Sequence, residues 1–183
     1  MKYLVVLTKQ FPFQWREQYV AHELPSLTAQ FDKVFIYPHD HYRKNDTLAF
    51  DVPTGVEVID LNQQFVPVSR LKVIVPFLKA FVSELYCSKR KWYQIKSWRR
   101  FYSIYATQWA LGEMLMDWQR RMGFDRSEVL HYSYWMSASA LCLSILKQRK
   151  AIRGFISRAH SVDLYHEDWG LLRDEHSVPP FRC

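Results

Sequence analysis

Residues 3–38 read YLVVLTKQFPFQWREQYVAHELPSLTAQFDKVFIYP, and the order of their patterns decides the fold. Residues 3–8 are a compact apolar run of strand length. The loop that follows contains Pro12, which keeps it from being helical throughout. Residues 16–31 then carry Tyr19, Val20, Leu24, Leu27 and Phe31 at helical spacing, and Pro25 is expected to kink or interrupt that helix. KVFIYP at 33–38 is a second buried strand, closed by a proline. Strand, helix and strand in so short a span predict a βαβ unit with parallel strands.

The same alternation continues outward. Residues 39–55 read as loop, and VEVIDL at 56–61 as a third strand. Two long helical regions follow, at about 67–87 and 98–122. EVLHY at 128–132 is a fourth strand, 135–149 a helix rich in Ala, Leu and Ser, and 152–157 a fifth strand. These alternations predict an α/β domain with a doubly wound, mainly parallel sheet and helices on both faces. One domain covers 1–183, with a basic helical insertion at about 67–122.

Composition supports a folded domain. Of 183 residues, 49% are hydrophobic and 16% aromatic, which excludes a disordered chain. Cys87, Cys142 and Cys183 are far apart and form no CxxC, a usage that fits a reducing cytosol. Cys142, in LCLSIL, reads as core. The N-terminal MKYLVVLTKQ has too few apolar residues before Lys9 for a signal peptide and reads as the first strand.

The net charge of +7 is unevenly placed. Residues 70–100 hold nine Lys or Arg and one acid, Glu84, a net of +8 that leaves −1 for the rest of the chain. Residues 68–87 are apolar but carry Arg70, Lys72, Lys79 and Glu84, too many charges for a spanning helix and acceptable for an amphipathic surface helix. KRKWYQIKSWRRFY follows at 89–102, where Lys89, Arg90, Lys91, Arg99 and Arg100 interleave with Trp92 and Trp98. Aromatics favour the headgroup zone and cations favour anionic lipid, so an anionic membrane surface is the expected partner. Stacking plus charge would also suit single-stranded nucleic acid, which is not the partner taken here. A helical hairpin with a basic outer face is the structural alternative.

Three motifs bear on chemistry. The loop after the first strand has no glycine, so the dinucleotide fingerprint and the P-loop are both absent, which argues against a dehydrogenase or an NTPase. Its Phe11, Phe13 and Trp15 either line a sugar or lipid acceptor site or plug the top of the core. His39-Asp40-His41 and His160-x-x-Asp163-x-x-His166-Glu167 have weak metal-ligand spacing, and no metal or cofactor is expected. No GxSxG and no reactive cysteine setting is present. The fifth strand is followed by Arg158, His160, Asp163, Tyr165, His166 and Glu167. Beyond the carboxyl end of such a strand, polar residues are placed to touch a ligand, or they form a solvated loop.

FPFQWREQYVAHELPSL, KVFIYP and SRAHSVDLY together resemble the N-terminal half of bacterial family-4 glycosyltransferases, in particular those that build surface polysaccharides. The resemblance implies half of a GT-B architecture, in which two Rossmann-like domains face each other across a cleft. This half would bind the acceptor, and the nucleotide-sugar donor would sit on a C-terminal domain absent from this chain. It implies a retaining, metal-independent hexosyltransferase that passes a sugar to a glycan or lipid-linked acceptor. His160 would lie at the reaction centre. Arg158, Asp163 and Tyr165 would shape the same mouth with Phe13, and Glu17 would face the cleft or cap the first helix. Two departures are the missing glycine pair after the first strand and the end of the chain at Cys183. The chain is therefore expected either to be a fragment or truncated product or to have its partner half on a separate polypeptide, to be inactive alone, and to be cytoplasmic, including the inner face of the cytoplasmic membrane. The rival expectation is a non-enzymatic α/β module that docks on membrane.

Overall fold

The computed structural model describes residues 2–39, 47–59, 73–79, 81–82, 98–136 and 138–159. Five parallel strands form one sheet in the order β3-β2-β1-β4-β5. They are β1 Tyr3–Thr8, β2 Lys33–Pro38, β3 Val56–Val58, β4 Val129–Ser133 and β5 Phe155–Ser157. In-register neighbours include Leu7 with Tyr37 and with Ser133, and Ser133 with Ser157. The central strands are buried on both faces, as a covered parallel sheet requires, and the edge strands β3 and β5 are short and more open.

Alternation along each strand sends side chains to two cores. Leu4, Val6, Val34 and Ile36 point to the side covered by α1, Gln18–Thr28, where Val20 and Leu24 are buried. Burying a leucine such as Leu24 stabilises the fold by about 1.5–3 kcal/mol. Val5, Leu7, Phe35, Tyr37 and Val129 point to the opposite side. There they meet Leu115 and Trp118 of α2, Trp98–Arg121, and Cys142, Leu143 and Leu146 of α3, Ala138–Gln148.

The path of α1 departs from expectation at both ends. The chain enters through a 3-10 turn, Trp15–Glu17, and the α-helix stops at Thr28. Pro25 does not interrupt it. Only one turn follows Pro25, and that turn is closed by Ala29 N–H donating to the Pro25 carbonyl at 3.2 Å and by Thr28 Oγ1 donating to the Leu24 carbonyl at 3.0 Å. Tyr19, expected on the apolar stripe, is 61% exposed.

Helix α2 ends at a glycine in the left-handed region, Gly123 at φ 71°, which is costly for a residue with a Cβ. It crosses α3 closely at Gly112, where a Cβ would lie 3.1 Å from Leu146 Cδ2. A third layer sits outside this pair. Residues 73–79 and 81–82 are helical, and Val73 and Phe77 are buried against Tyr105, Trp109, Leu141 and Ile145. Within 67–122, residues 73–79, 81–82 and 98–121 are helical.

Candidate functional site

The strand order marks a candidate ligand position. Successive strands run outward from β1 to β2 to β3, and the chain then crosses to the other side of β1 to form β4. In a doubly wound sheet the crevice outside the carboxyl ends of the strands at such a reversal is the binding position. Here it lies beyond Thr8 of β1 and Ser133 of β4.

Both strand ends are laced together there. Tyr134 N–H donates to the Leu7 carbonyl and Arg158 N–H to the Ser133 carbonyl, each at 3.0 Å. Thr8 Oγ1 donates to the Phe11 carbonyl at 2.9 Å. The Ser133 and Ser139 hydroxyls are 2.7 Å apart, which ties the end of β4 to the first turn of α3.

Glu17 is the organising residue. It is 2% exposed and precedes α1, yet its side chain does not cap that helix. The carboxylate turns back onto the loop after β1. Oε1 accepts from Lys9 N–H at 2.9 Å and from the Trp135 indole Nε1–H at 2.6 Å. Oε2 accepts from Gln10 N–H at 2.6 Å and Phe11 N–H at 2.8 Å. Three successive backbone N–H groups converging on one anion form a nest, the device by which glycine-rich loops hold phosphate at this position of the fold. In this chain the anion is internal. That is the physical counterpart of the missing glycines.

Aromatic side chains surround this loop. Phe11 is fully buried and packs on Phe50, with ring centroids 5.2 Å apart. Trp15 is 69% exposed and meets the same Phe50 at 4.7 Å. Phe13 is half-buried. Phe11 plugs the core, as one of the two expectations had it, whereas Trp15 faces solvent. Tyr134 packs edge-on to Trp135 at 5.7 Å.

Arg158 joins the same mouth from β5. Its guanidinium pairs with Glu23 of α1 and lies 5.6 Å from the Tyr134 ring centroid. Tyr132 Oη donates to Glu23 Oε2 at 3.3 Å. Burial raises the Tyr132 and Tyr134 phenols above their ordinary pKa, and for Tyr134 the neighbouring Glu17 adds to the effect. Both phenols therefore remain protonated donors at neutral pH.

The structure brings Glu17, Phe13 and Arg158 to the carboxyl end of the sheet. His160, Asp163 and Tyr165 lie outside the described residues, as do Lys89, Arg90, Lys91 and Trp92. Trp98, Arg99 and Arg100 belong to the first turn of α2. Sequence reading passed over Glu23, Tyr132, Tyr134 and Trp135. The available signal was a tryptophan and two tyrosines at the end of a strand. Among the described residues no group of three or more His, Cys, Asp or Glu is placed to hold a metal ion. Also among them, no helix is long and apolar enough to cross a membrane.

The chain matches no protein-family model, no curated protein and no solved structure. The mouth combines an exposed Trp15, the Arg158–Glu23–Tyr132 cluster and a filled anion nest.

Proposed function

We propose that the chain is the acceptor-binding half of a retaining, metal-independent glycosyltransferase. In this reading a sugar passes from a nucleotide-sugar donor, held by a second domain, to a glycan or lipid-linked acceptor at the mouth of this sheet. The observation that carries it is the mouth itself, at the reversal of strand order, with its phosphate nest closed by Glu17 and with Trp15 and Trp135 beside it. Pyranose rings present C–H faces to aromatic rings and hydroxyls to groups such as Glu23, Arg158 and Tyr132. A filled nest suits a domain that leaves the donor phosphates to its partner half. His160 follows β5 in the chain by three residues, and under this reading it orients the transferred sugar or stabilises charge in the transition state.

Titration of the purified chain with neutral oligosaccharides, read by tryptophan fluorescence and saturation-transfer NMR, tests the reading. Saturable binding that is lost in Trp15→Ala with the fold intact is the expected result. Absence of binding to any glycan or glycolipid tested overturns it.

A further inference from the structure

The helix over residues 73–79 and 81–82 is apolar on two sides. Its inner side is covered, with Val73 and Phe77 buried against α2 and α3. Its outer side is not: Ile74, Val75, Leu78 and Val82 are 42%, 55%, 51% and 62% exposed. Their spacing places them along one stripe of the helix surface. Single exposed aliphatics are ordinary on a protein surface, whereas four on one helix face mark a contact surface.

A groove of about 360 Å³ adjoins the stripe, between this helix, α2 and the end of α3. Val75, Tyr105, Trp109 and Ile145 line it, together with two cations, Lys79 and Arg149. Arg149 lies 4.2 Å from the Trp109 ring centroid and pairs with Glu113 at 2.5 Å, which fixes its position. Lys79 is exposed. The helix also belongs to the stretch 70–100 that carries the chain's entire positive excess.

We propose that this face lies on a bilayer containing anionic phospholipid. Ile74, Val75, Leu78 and Val82 enter the boundary between headgroups and acyl chains, and Lys79 and Arg149 meet lipid phosphate beside them. An interfacial helix needs an apolar face and flanking cations, not a spanning length. Charge selects this occupant over a second copy of the chain, because the stretch 70–100 that contains this helix carries a net of +8 and two copies of it would repel. Nucleic acid would answer the cations and leave the four aliphatic side chains uncovered.

The test is cosedimentation of the purified chain with vesicles of phosphatidylcholine alone and of phosphatidylcholine with phosphatidylglycerol, at low and high salt. Binding should require phosphatidylglycerol and weaken with salt. The double variant Leu78→Ser with Val82→Ser should lower partitioning at least about tenfold, because both side chains leave water on docking. Lys79→Glu should lower it about fivefold, with most of that loss at low salt. Both changes are on exposed residues, and circular dichroism confirms that each variant is folded. The proposal is overturned if the wild-type chain ignores both vesicles, or if the double variant binds as well as wild type. It is also overturned if the chain self-associates without lipid and the same variant abolishes that, which makes a second copy the occupant. None of these readings involves a sugar, so they stand apart from the fate of the glycosyl-transfer reading.

Discussion

The Glu17 carboxylate and the Trp135 indole meet at 2.6 Å although 118 positions of chain separate them. This one hydrogen bond joins the loop after β1 to the loop after β4, the two edges of the crevice at the reversal of strand order. Each Glu17 oxygen accepts two donors, and all four donors are N–H groups.

Replacing Glu17 should therefore cost far more than removing a surface acid. Glu17→Gln keeps the shape but turns an amide NH₂ toward two of the N–H donors. We expect a loss of about 2–4 kcal/mol in chemical denaturation, with Glu17→Ala at least as severe. A loss under about 0.5 kcal/mol would mean that the nest holds itself together without the carboxylate.

Trp135→Phe removes one donor and leaves three. It should cost about 1–2 kcal/mol. In a double-mutant cycle with Glu17→Gln the two losses should be less than additive, because both variants break the same contact. Strict additivity would show that the two residues act independently.

His131 gives the fold a pH dependence. It lies on β4, is fully buried, and neither ring nitrogen has a hydrogen-bond partner among the described residues. Burial lowers its pKa from 6.5 to about 4. The unfolded chain takes up this proton near pH 6.5 and the folded chain only near pH 4, so its contribution is complete above 6.5. It is lost progressively as pH falls from 6.5 to 4, by about 3 kcal/mol in all. His131→Phe should remove that slope without loss of stability at pH 7, since an unpaired polar ring gives way to an apolar one. An unchanged slope in the variant would assign the acid sensitivity to other groups.

Cys142 should be inert in the native protein. It is fully buried beside α2, and burial pushes its thiol up to about 12. Mass spectrometry after treatment with iodoacetamide should find Cys142 modified only once denaturant is added. Rapid alkylation of the folded chain would reveal local opening between α2 and α3.

The Arg158–Glu23 pair should separate binding from stability. Both side chains are partly exposed, at 44% and 30%, so the pair contributes under about 1 kcal/mol to the fold. Arg158→Ala should leave the melting temperature within a few degrees of wild type. If the mouth binds glycans, the same variant should weaken that binding about fivefold or more. A large fall in stability with unchanged binding would make Arg158 a structural residue.

Much of the fold is legible along the chain. Runs such as 3–8 and 33–38 are apolar at every position because both faces of a parallel sheet are covered, and their termini are marked by loop residues. Strand order is not legible in that way. β4 pairs with β1 and not with β3, a choice made by crossover geometry and by packing of α2 and α3. The role of Glu17 was hidden for a related reason. An acid before a helix suggests a local cap, whereas its partner Trp135 is distant in sequence and its other partners are backbone groups that carry no residue identity. The helical residues 73–79 and 81–82 are apolar nearly all round, so periodicity alone could not tell which side faces Tyr105 and Trp109. His131 sat unremarked within EVLHY, where alternation places it on the same face as Val129 and Ser133.

Helix α3 touches both regions of interest, with Ser139 at the crevice and Arg149 at the groove beside the aliphatic stripe. Ten residues of helix separate them, about 15 Å at 1.5 Å per residue. That span is rigid, and Gly112 clamps α2 against its middle, so the helix acts as a fixed strut. If the groove rests on a bilayer, the strut holds the crevice within about 15 Å of the headgroups. A sugar chain carried on a lipid could then reach Trp15 and Trp135 while its anchor stays in the membrane.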